Sequence, residues 1–440
     1  MWFKLSILYY FIRFRLRRFA GRKQLLQWQH KQWNRHWKFL KTHSPFYQAL
    51  SLKNAMPAEL PPMNKEAMMR AFDDLNTRHL KLENAMKVAL AEEESRQFVD
   101  ALPGDVSVGL SSGTSGNRGL FAVSRRERAL WVAAVLAKLL GWSWKPRKVA
   151  FFLRANNKLY QSVRSRLLSF HYFDLLGSFD PLLERIADLQ PNIVVAQPSV
   201  LMQLALAVQQ RRISIKPSKI ISVAEVLEPE VKHLVETVFS LQLSEVYQCT
   251  EGFLASSCCA GNLHFHEDLL TIEPQWLDAD KRRFFPVVTD FTRRVQPMVN
   301  YTLNDVVHLR KEPCSCGSPF LCIEKIEGRA DDMLVFERLD GGAALVFPDW
   351  IRRVMLMHVP QASHYQIEQK ATNLLFFWLD GEHAADLFLA FKEALANWCA
   401  GQELKMPELQ LNGPVPFNPV RKFRVISRSG SLPVDGLPFL

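Results

Sequence analysis

The stretch Ser111 to Gly119 reads Ser-Ser-Gly-Thr-Ser-Gly-Asn-Arg-Gly and carries three glycines and four hydroxyls in nine residues. Glycines let backbone N–H groups close on an anion with no Cβ in the way. Ser111, Ser112, Thr114 and Ser115 add short O–H donors, and Arg118 adds a fixed positive charge. With Gly113 and Gly116 they make a phosphate cradle, although a solvated Gly/Ser turn has the same composition. No Gly-Lys-Ser/Thr ends the loop and no Gly-x-Gly-x-x-Gly occurs in it, so it is neither a Walker loop nor a dinucleotide fingerprint. A second constellation gathers Cys258, Cys259, His264, His266, Cys314, Cys316 and Cys322 within 65 residues. Reduced, buried thiols are one reading of it. The other is a tetrahedral structural zinc site closing two loops, for which Cys258, His264, Cys314 and Cys316 are the set chosen.

The elements that must position these groups alternate between strands and helices. Val106 to Leu110 is a short β-type run entering the loop, and Leu120 to Val123 is a second run leaving it, so the loop joins two strands of a hairpin before a helix over Arg125 to Leu140. Val149 to Leu153 is a strand, followed by the polar segment Arg154 to Tyr160. Regular α/β units come next, with strands at Asn192 to Ala196, Ile220 to Val223 and Ser244 to Tyr247, and helices at Pro198 to Arg211 and Pro229 to Phe239. Glu225 and the group Tyr247, Thr250 and Glu251 fall at strand ends. Thr-Glu by itself reads as a helix cap, and Asn304-Asp305 by itself as a turn. Pro57 to Pro62 reads as a linker and Asn64 as the N-cap of the helix after it. Beyond residue 331, a hairpin turn at Leu339 to Gly342, helices at Pro348 to Met357 and Ala384 to Cys399 and a strand at Leu374 to Leu379 predict a small α+β domain.

The chain has 440 residues, 48% hydrophobic and 22% charged, enough for a large core and two or three domains. Its net charge of +11 lies entirely in residues 1–42, which hold eleven Lys/Arg and no Asp or Glu, leaving 44 basic and 44 acidic residues in the rest. In that arm Trp2, Phe3, Tyr9, Tyr10, Phe11, Phe14 and Phe19 interleave with arginines, as one helix or two. Such a segment suits an anionic membrane surface, an acidic carrier protein or a nucleic acid, of which nucleic acid is the least expected. It equally suits a helix packing its aromatic face on the body with the arginines in water. No run qualifies as a membrane span. An odd number of cysteines, seven, without disulfide-framework spacing fits a reducing cytoplasm, with peripheral attachment to a membrane as the variant reading.

Four segments stand in one order: the Ser/Gly loop, Val246-Tyr247-Gln248-Cys249-Thr250-Glu251-Gly252, Tyr301-Thr302-Leu303-Asn304-Asp305, and Glu327-Gly328-Arg329-Ala330-Asp331-Asp332. Together they resemble the motifs of the adenylate-forming superfamily. Thr-Glu-Gly-Phe-Leu-Ala at 250–255, His-Phe-His-Glu-Asp at 264–268 and Cys-Ser-Cys-Gly-Ser at 314–318 are similar to its phenylacetate–CoA ligase and coenzyme F synthetase branch. The resemblance runs from about Phe39 to the C-terminus. It implies a large N-terminal domain of mixed β-sheets with packed helices over 43–330, preceded by the arm at 1–42 and followed by a small mobile α+β lid over 331–440.

It also implies roles. The loop would hold the β- and γ-phosphates of ATP, Glu225 would flank the adenine, Tyr247 would stack on it, and Thr250 would bond the α-phosphate. Glu251 would hold magnesium, Asp305 would accept the ribose hydroxyls, Arg329 would meet ribose or phosphate, and Asp331 would be the hinge pivot. Lys422 would stabilise charge passing between carboxylate and α-phosphate. The expected activity is conversion of a carboxylic acid, aryl or fatty, to acyl-AMP, then to a thioester on CoA or on the phosphopantetheine of an acidic acyl carrier protein. Two rival expectations are adenylylation of a phenolic deazaflavin coenzyme and a non-catalytic recruitment protein on a degenerate ligase fold. The last is motivated by the basic arm and by Arg421, where the family often has Gly.

Overall fold

Val and Ile fill the strands Ile193–Ala196 and Lys219–Ser222 with little polar interruption, the pattern of strands covered on both faces. They lie in the parallel half of a large mixed sheet, in spatial order Leu168–Asp174, Arg147–Leu153, Ile193–Ala196, Lys219–Ser222 and Leu243–Gln248. Side chains alternate between the two faces. Ala150, Phe152, Val194, Ala196 and Ile220 pack under the helices Asp180–Leu189, Pro198–Gln209 and Pro229–Phe239, while Val149, Phe151, Ile193, Val195 and Ile221 pack on the other side. All three helices have Pro in the first turn, where no N–H is needed. The computed structural model describes residues 2–95, 102, 105–110, 119–153, 168–175, 179–329, 333–359, 361–362, 365–416 and 425–429.

After Leu243–Gln248 the sheet turns antiparallel, through Phe253–Ser257 and Leu263–Phe265, and Cys322 and Ile323 pair with His264 and Leu263. Val106–Leu110 and Leu120–Ser124 pair antiparallel in a separate hairpin, with Leu110 opposite Leu120. The helix that follows, Arg125–Val135, is started by a capping box in which Ser124 and Glu127 satisfy each other's N–H groups. It ends five residues before the expected Leu140, because Leu136–Leu140 winds as a π-helical turn closed by Gly141 at φ +63°.

The arm forms two helices, α1 (Trp2–Leu16) and α2 (Arg22–His43). Both are tied to the body through Glu267 and Asp268, the acids of the His-Phe-His-Glu-Asp segment. Arg22 pairs with Glu267 at 2.5 Å, while Arg17 and Lys138 pair with Asp268 at 3.3 and 2.8 Å. Trp28 Nε1 donates to the Asp268 carbonyl, and Gln29 Nε2 to the carbonyls of Glu267 and Leu270. Burial raises the Asp268 pKa, but Lys138, His266 and Arg17 outweigh it and hold the group below the usual carboxylate range. The linker reading of Pro57 to Pro62 needs correction. Leu60 is buried, its carbonyl accepts from Asn300 Nδ2, and Met63 N–H donates to the Asn300 carbonyl, so burial of apolar side chains fixes a segment that its prolines mark as open. Asn64 does cap the next helix, its Oδ1 accepting from Ala67 N–H at 2.9 Å.

The chain divides into two units, residues 1–303 with 308–325 and residues 304–307 with 326–440. Among the described residues the second holds a hairpin (Leu334–Glu337 with Ala343–Val346) and a four-stranded sheet ordered Glu408–Leu411, Leu374–Leu379, Tyr365–Ala371 and Ile426–Arg428. The helices Pro348–His358 and Ala384–Gly401 share one core with it, around Phe336, Ile351, Phe377, Phe391 and Leu395.

Candidate nucleotide site and Cys/His cluster

In an open parallel sheet, ligands bind outside the carboxyl ends of the strands. Ala196 pairs with Ser222, and Ser222 with Glu245, so the first two strands end level and the third runs three residues beyond them, to Gln248. Gln197 and Ser222 are buried there, and neither Gln197 Oε1 nor Ser222 Oγ has a hydrogen-bond partner among the described residues. Just beyond, Ala224 takes the left-handed conformation at φ +69°, and the Glu225 carboxylate accepts from the Ser199 hydroxyl at 2.9 Å, at the start of the helix Pro198–Gln209.

The third strand end carries Tyr247, Thr250 and Glu251. Thr250 and Glu251 occupy a tight hairpin turn, not a helix cap, closed by paired backbone bonds between Cys249 and Gly252. The turn rests on buried Asp290: a Cβ at Gly252 would stand 3.1 Å from Asp290 Oδ2. Burial pushes the Asp290 carboxyl up against the two hydrogen bonds that its Oδ1 accepts from Thr292. Glu251 accepts from the Thr250 hydroxyl at 2.9 Å on one oxygen and from the Tyr301 hydroxyl at 3.1 Å on the other. Each oxygen keeps a lone pair, as coordination of a hard divalent cation requires. Two segments 50 residues apart in sequence thus meet at one carboxylate. Tyr247 is buried, with its ring 6.4 Å from Phe265 and set edge-on to it.

Arg293 is the residue to which the sequence assigned no role. It is 9% exposed, and its Nη1 donates to the Thr250 carbonyl at 3.3 Å. Its Nε and Nη2 are buried with no hydrogen-bond partner among the described residues. A buried guanidinium with two idle donors is costly unless an anion completes it. The available signal was its position, a charge following the strand Arg283–Asp290 in the Thr289–Arg294 stretch. The backbone there is fixed from the far side, where buried Glu127 accepts from Arg294 N–H at 2.5 Å and Val295 N–H at 3.0 Å.

In the second unit, Asp305 and Arg329 are neighbours, Oδ1 to Nε 3.6 Å, with side chains 14% and 36% exposed. Gly328 precedes Arg329 at φ +130°, a conformation that a side chain would strain. Ser111, Ser112, Gly113, Thr114, Ser115, Gly116 and Arg118 lie outside the described residues, as do Arg154 to Tyr160, Asp331 and Lys422.

The Cys/His cluster is built on two turns. Cys258 N–H and the Asn262 carbonyl close one, with Gly261 at φ +76°, and Gly317 N–H to the Cys314 carbonyl closes the other, with Gly317 at φ +71°. One ligand atom from each of Cys258, His264, Cys314 and Cys316 lies within 4.8 Å of all the others. Cys258 Sγ is 3.7 Å from Cys314 Sγ, and Cys316 Sγ is 3.5 Å from His264 Nε2. Tetrahedral zinc with bonds of about 2.3 Å to sulfur and 2.0 Å to nitrogen has edges of roughly 3.5–3.8 Å. His264 Nδ1 lies 3.1 Å from the Phe320 carbonyl, a contact that directs Nε2 inward. Burial raises the Cys314 thiol, but hydrogen bonds from Cys316 N–H, His264 and Asn262 outweigh it and bring it down to about 6. The residues fit zinc. Cys259 is exposed, and Cys322 is buried beside Cys314, its thiol pushed up to about 11 first by burial and then by Cys314 and Cys258.

No protein-family model matches the chain. It is similar to the phenylacetate-coenzyme A ligase of Thermus thermophilus, 26% identical over 199 residues that make up 41% of this chain and 43% of that protein. The similarity therefore spans less than half the length of that relative. Its structure is similar to 2-hydroxyisobutyryl-CoA ligase in the postadenylation state in complex with 2-HIB-AMP, with a TM-score of 0.65 and 16% identity, covering 93% of this chain and 89% of that one. It is also similar to an anthranilate CoA ligase in complex with anthranoyl-AMP, with a TM-score of 0.50 and 12% identity, over 74% and 67% of the two chains.

Proposed function

Because this chain has the fold of the adenylate-forming ligases, we propose that it activates a carboxylic acid with ATP and passes the acyl group to a thiol. The observation that carries this is the meeting of Thr250, Glu251, Tyr301 and a buried, incompletely paired Arg293 at the carboxyl ends of the parallel strands. In the first step a carboxylate oxygen attacks the α-phosphorus in line, the bond to the bridging oxygen breaks, and pyrophosphate leaves with that electron pair. The acyl-adenylate then gives its acyl carbon to a thiolate, and AMP leaves. Both steps gather anions and shift charge, so fixed donors at the phosphates supply most of the catalysis.

Arg293 has idle N–H groups that would meet such charge, and Thr250 would offer a hydroxyl to the α-phosphate. Glu251 would hold magnesium, which neutralises phosphate charge. Tyr301 and Thr250 orient that carboxylate. By the roles that the family resemblance implies, Tyr247 and Glu225 would border the base, Asp305 and Arg329 would meet the ribose, Asp331 would be the pivot, Lys422 would stabilise charge at the reacting centre, and the loop Ser111 to Arg118 would hold the outer phosphates. The acceptor is CoA or the phosphopantetheine thiol of a carrier protein. The Cys258, His264, Cys314 and Cys316 set would hold a structural zinc pinning the two turns together, a reading supported by its two edges of 3.7 and 3.5 Å. Seven free thiols suit a reducing compartment such as the cytoplasm.

Acid-dependent ATP–pyrophosphate exchange, run with a panel of aryl and aliphatic acids, tests the reading. Exchange with one acid class, abolished by Glu251→Ala, is the expected result. ATP binding without exchange for any acid would overturn it.

A further inference from the structure

The helix α1 has apolar residues on two opposite sides, separated by flanks that carry Lys4 and Arg15 on one edge and Ser6 and Arg13 on the other, and among the described residues one of the two sides is covered. Ile7 is buried against Ala129, Val132 and Ala133, with Phe3, Phe11 and Phe14 beside it. At 100° per residue, Leu5, Tyr9, Ile12 and Leu16 fall on the opposite side. With Trp2 and Leu8 they are 40–78% exposed. A second apolar stripe left in water on a helix edged by cations suits a lipid interface.

The body of the first unit extends this stripe. Trp142 and Trp144, on the turn after Leu136–Leu140, are 52% and 77% exposed. The Trp142 ring lies 5.7 Å from Phe11 and 5.2 Å from Trp144, which places both indoles along the Leu8 edge. Lys4, Arg13, Arg15, Arg18 and Lys145 are exposed around the stripe, and residues 1–42 contain no carboxylate side chain. On the Arg13 flank a groove of about 530 Å³ opens between α1 and the body, lined in part by Tyr10, Arg125, Arg126 and Arg294 and also by the acids Asp105, Glu127 and Asp268. Just beyond α1, Arg17 and Arg22 anchor the arm on Asp268 and Glu267.

We propose that this face seats in the headgroup layer of an anionic lipid bilayer, with α1 lying parallel to the surface, the leucines and indoles at the acyl boundary and the cations on lipid phosphates. At about 1.5 Å per residue α1 is about 22 Å long, and no described helix is long and apolar enough to cross a membrane. Charge complementarity selects lipid over the other occupants. A second copy would bring the same cations against these, and an acidic protein would pair the cations while leaving the leucines and indoles wet.

The test uses the full chain in co-sedimentation with vesicles of phosphatidylcholine alone and of phosphatidylcholine with phosphatidylglycerol. The chain is expected to pellet with the anionic vesicles, less so as salt rises, and to stay in solution with the neutral ones. Leu5→Asp with Ile12→Asp is expected to cut partitioning about tenfold or more, and Trp144→Ser a few-fold. Ligase activity in solution and melting temperature are expected to be unchanged, since these side chains are exposed. A chain that ignores both vesicle types overturns the proposal, as do variants that pellet like the parent. A dimer in sedimentation velocity that dissociates in the double variant overturns it in favour of a second copy.

Discussion

The strand-end constellation and the Cys/His cluster are both built from turns at strand ends of the first unit, and they treat their polar atoms in opposite ways. In the cluster each ligand atom has the others within 4.8 Å, and the outer contacts are filled by Phe320, Asn262 and Ser318. At the strand ends Arg293 keeps two idle donors, and Gln197 and Ser222 keep idle oxygens. A structural site completes itself once its protein atoms and one ion are in place. A substrate site holds groups at a desolvation cost that is offset only when the substrate's anions arrive.

That contrast breaks if activity and stability move together. The largest expected effect is on exchange activity in Glu251→Ala, a loss of about 10²–10³-fold with the melting temperature within about 2 °C of the parent. Arg293→Met is expected to lower exchange about 10²-fold while leaving stability within about 1 kcal/mol of the parent, because relief of a desolvated, incompletely paired charge offsets loss of its bond to the Thr250 carbonyl and of its charge near Asp290. Calorimetric melts with and without ATP would show this, ATP stabilising the parent more than the variant. Cys314→Ser should do the reverse: metal analysis is expected to give about one zinc per chain for the parent and little for the variant, with a loss on the order of 3 kcal/mol of stability while activity per folded molecule is retained.

His36 sharpens the contrast from another side. It is buried on α2 with both ring nitrogens unpartnered among the described residues, but it lies among apolar and aromatic neighbours and the charge of Arg294, so it is a stability liability and not a site. Burial first, then Arg294, lowers its pKa from 6.5 to about 3. Below about 6.5 the unfolded chain takes up a proton that the folded chain refuses until about 3, so stability falls as pH falls through that window. Denaturant titrations at stepped pH should show His36→Leu flattening this limb by a few kcal/mol with exchange activity unchanged. The smallest effect is expected for Gly252→Ala, about 1 kcal/mol of stability and a few-fold in exchange, from crowding Asp290 Oδ2.

Local patterns are legible where the chain's own neighbours decide the outcome. The helix Pro229–Phe239 and the strand Leu374–Leu379 fall where periodicity and proline placement put them, and Asn64 caps the helix it precedes. The arm reads differently. Its composition left four occupants open, and which side of α1 is covered was decided by Ala129, Val132 and Ala133 on a distant helix, with Asp268 and Glu267 holding Arg17 and Arg22 beyond its end. Trp142 and Trp144 carried no mark in sequence because exposure is a property of packing.

By itself the sequence determined which residue types could meet phosphate, magnesium or zinc and the order of the motifs that carry them, since those follow from side-chain chemistry and local spacing. Only the tertiary structure decided that Tyr301 reaches Glu251, that four of the seven Cys/His side chains converge, and that Arg293 is buried with donors to spare. Each of these depends on bringing distant segments to one point and excluding water there, a consequence of how the sheet closes and not of any local run of residues.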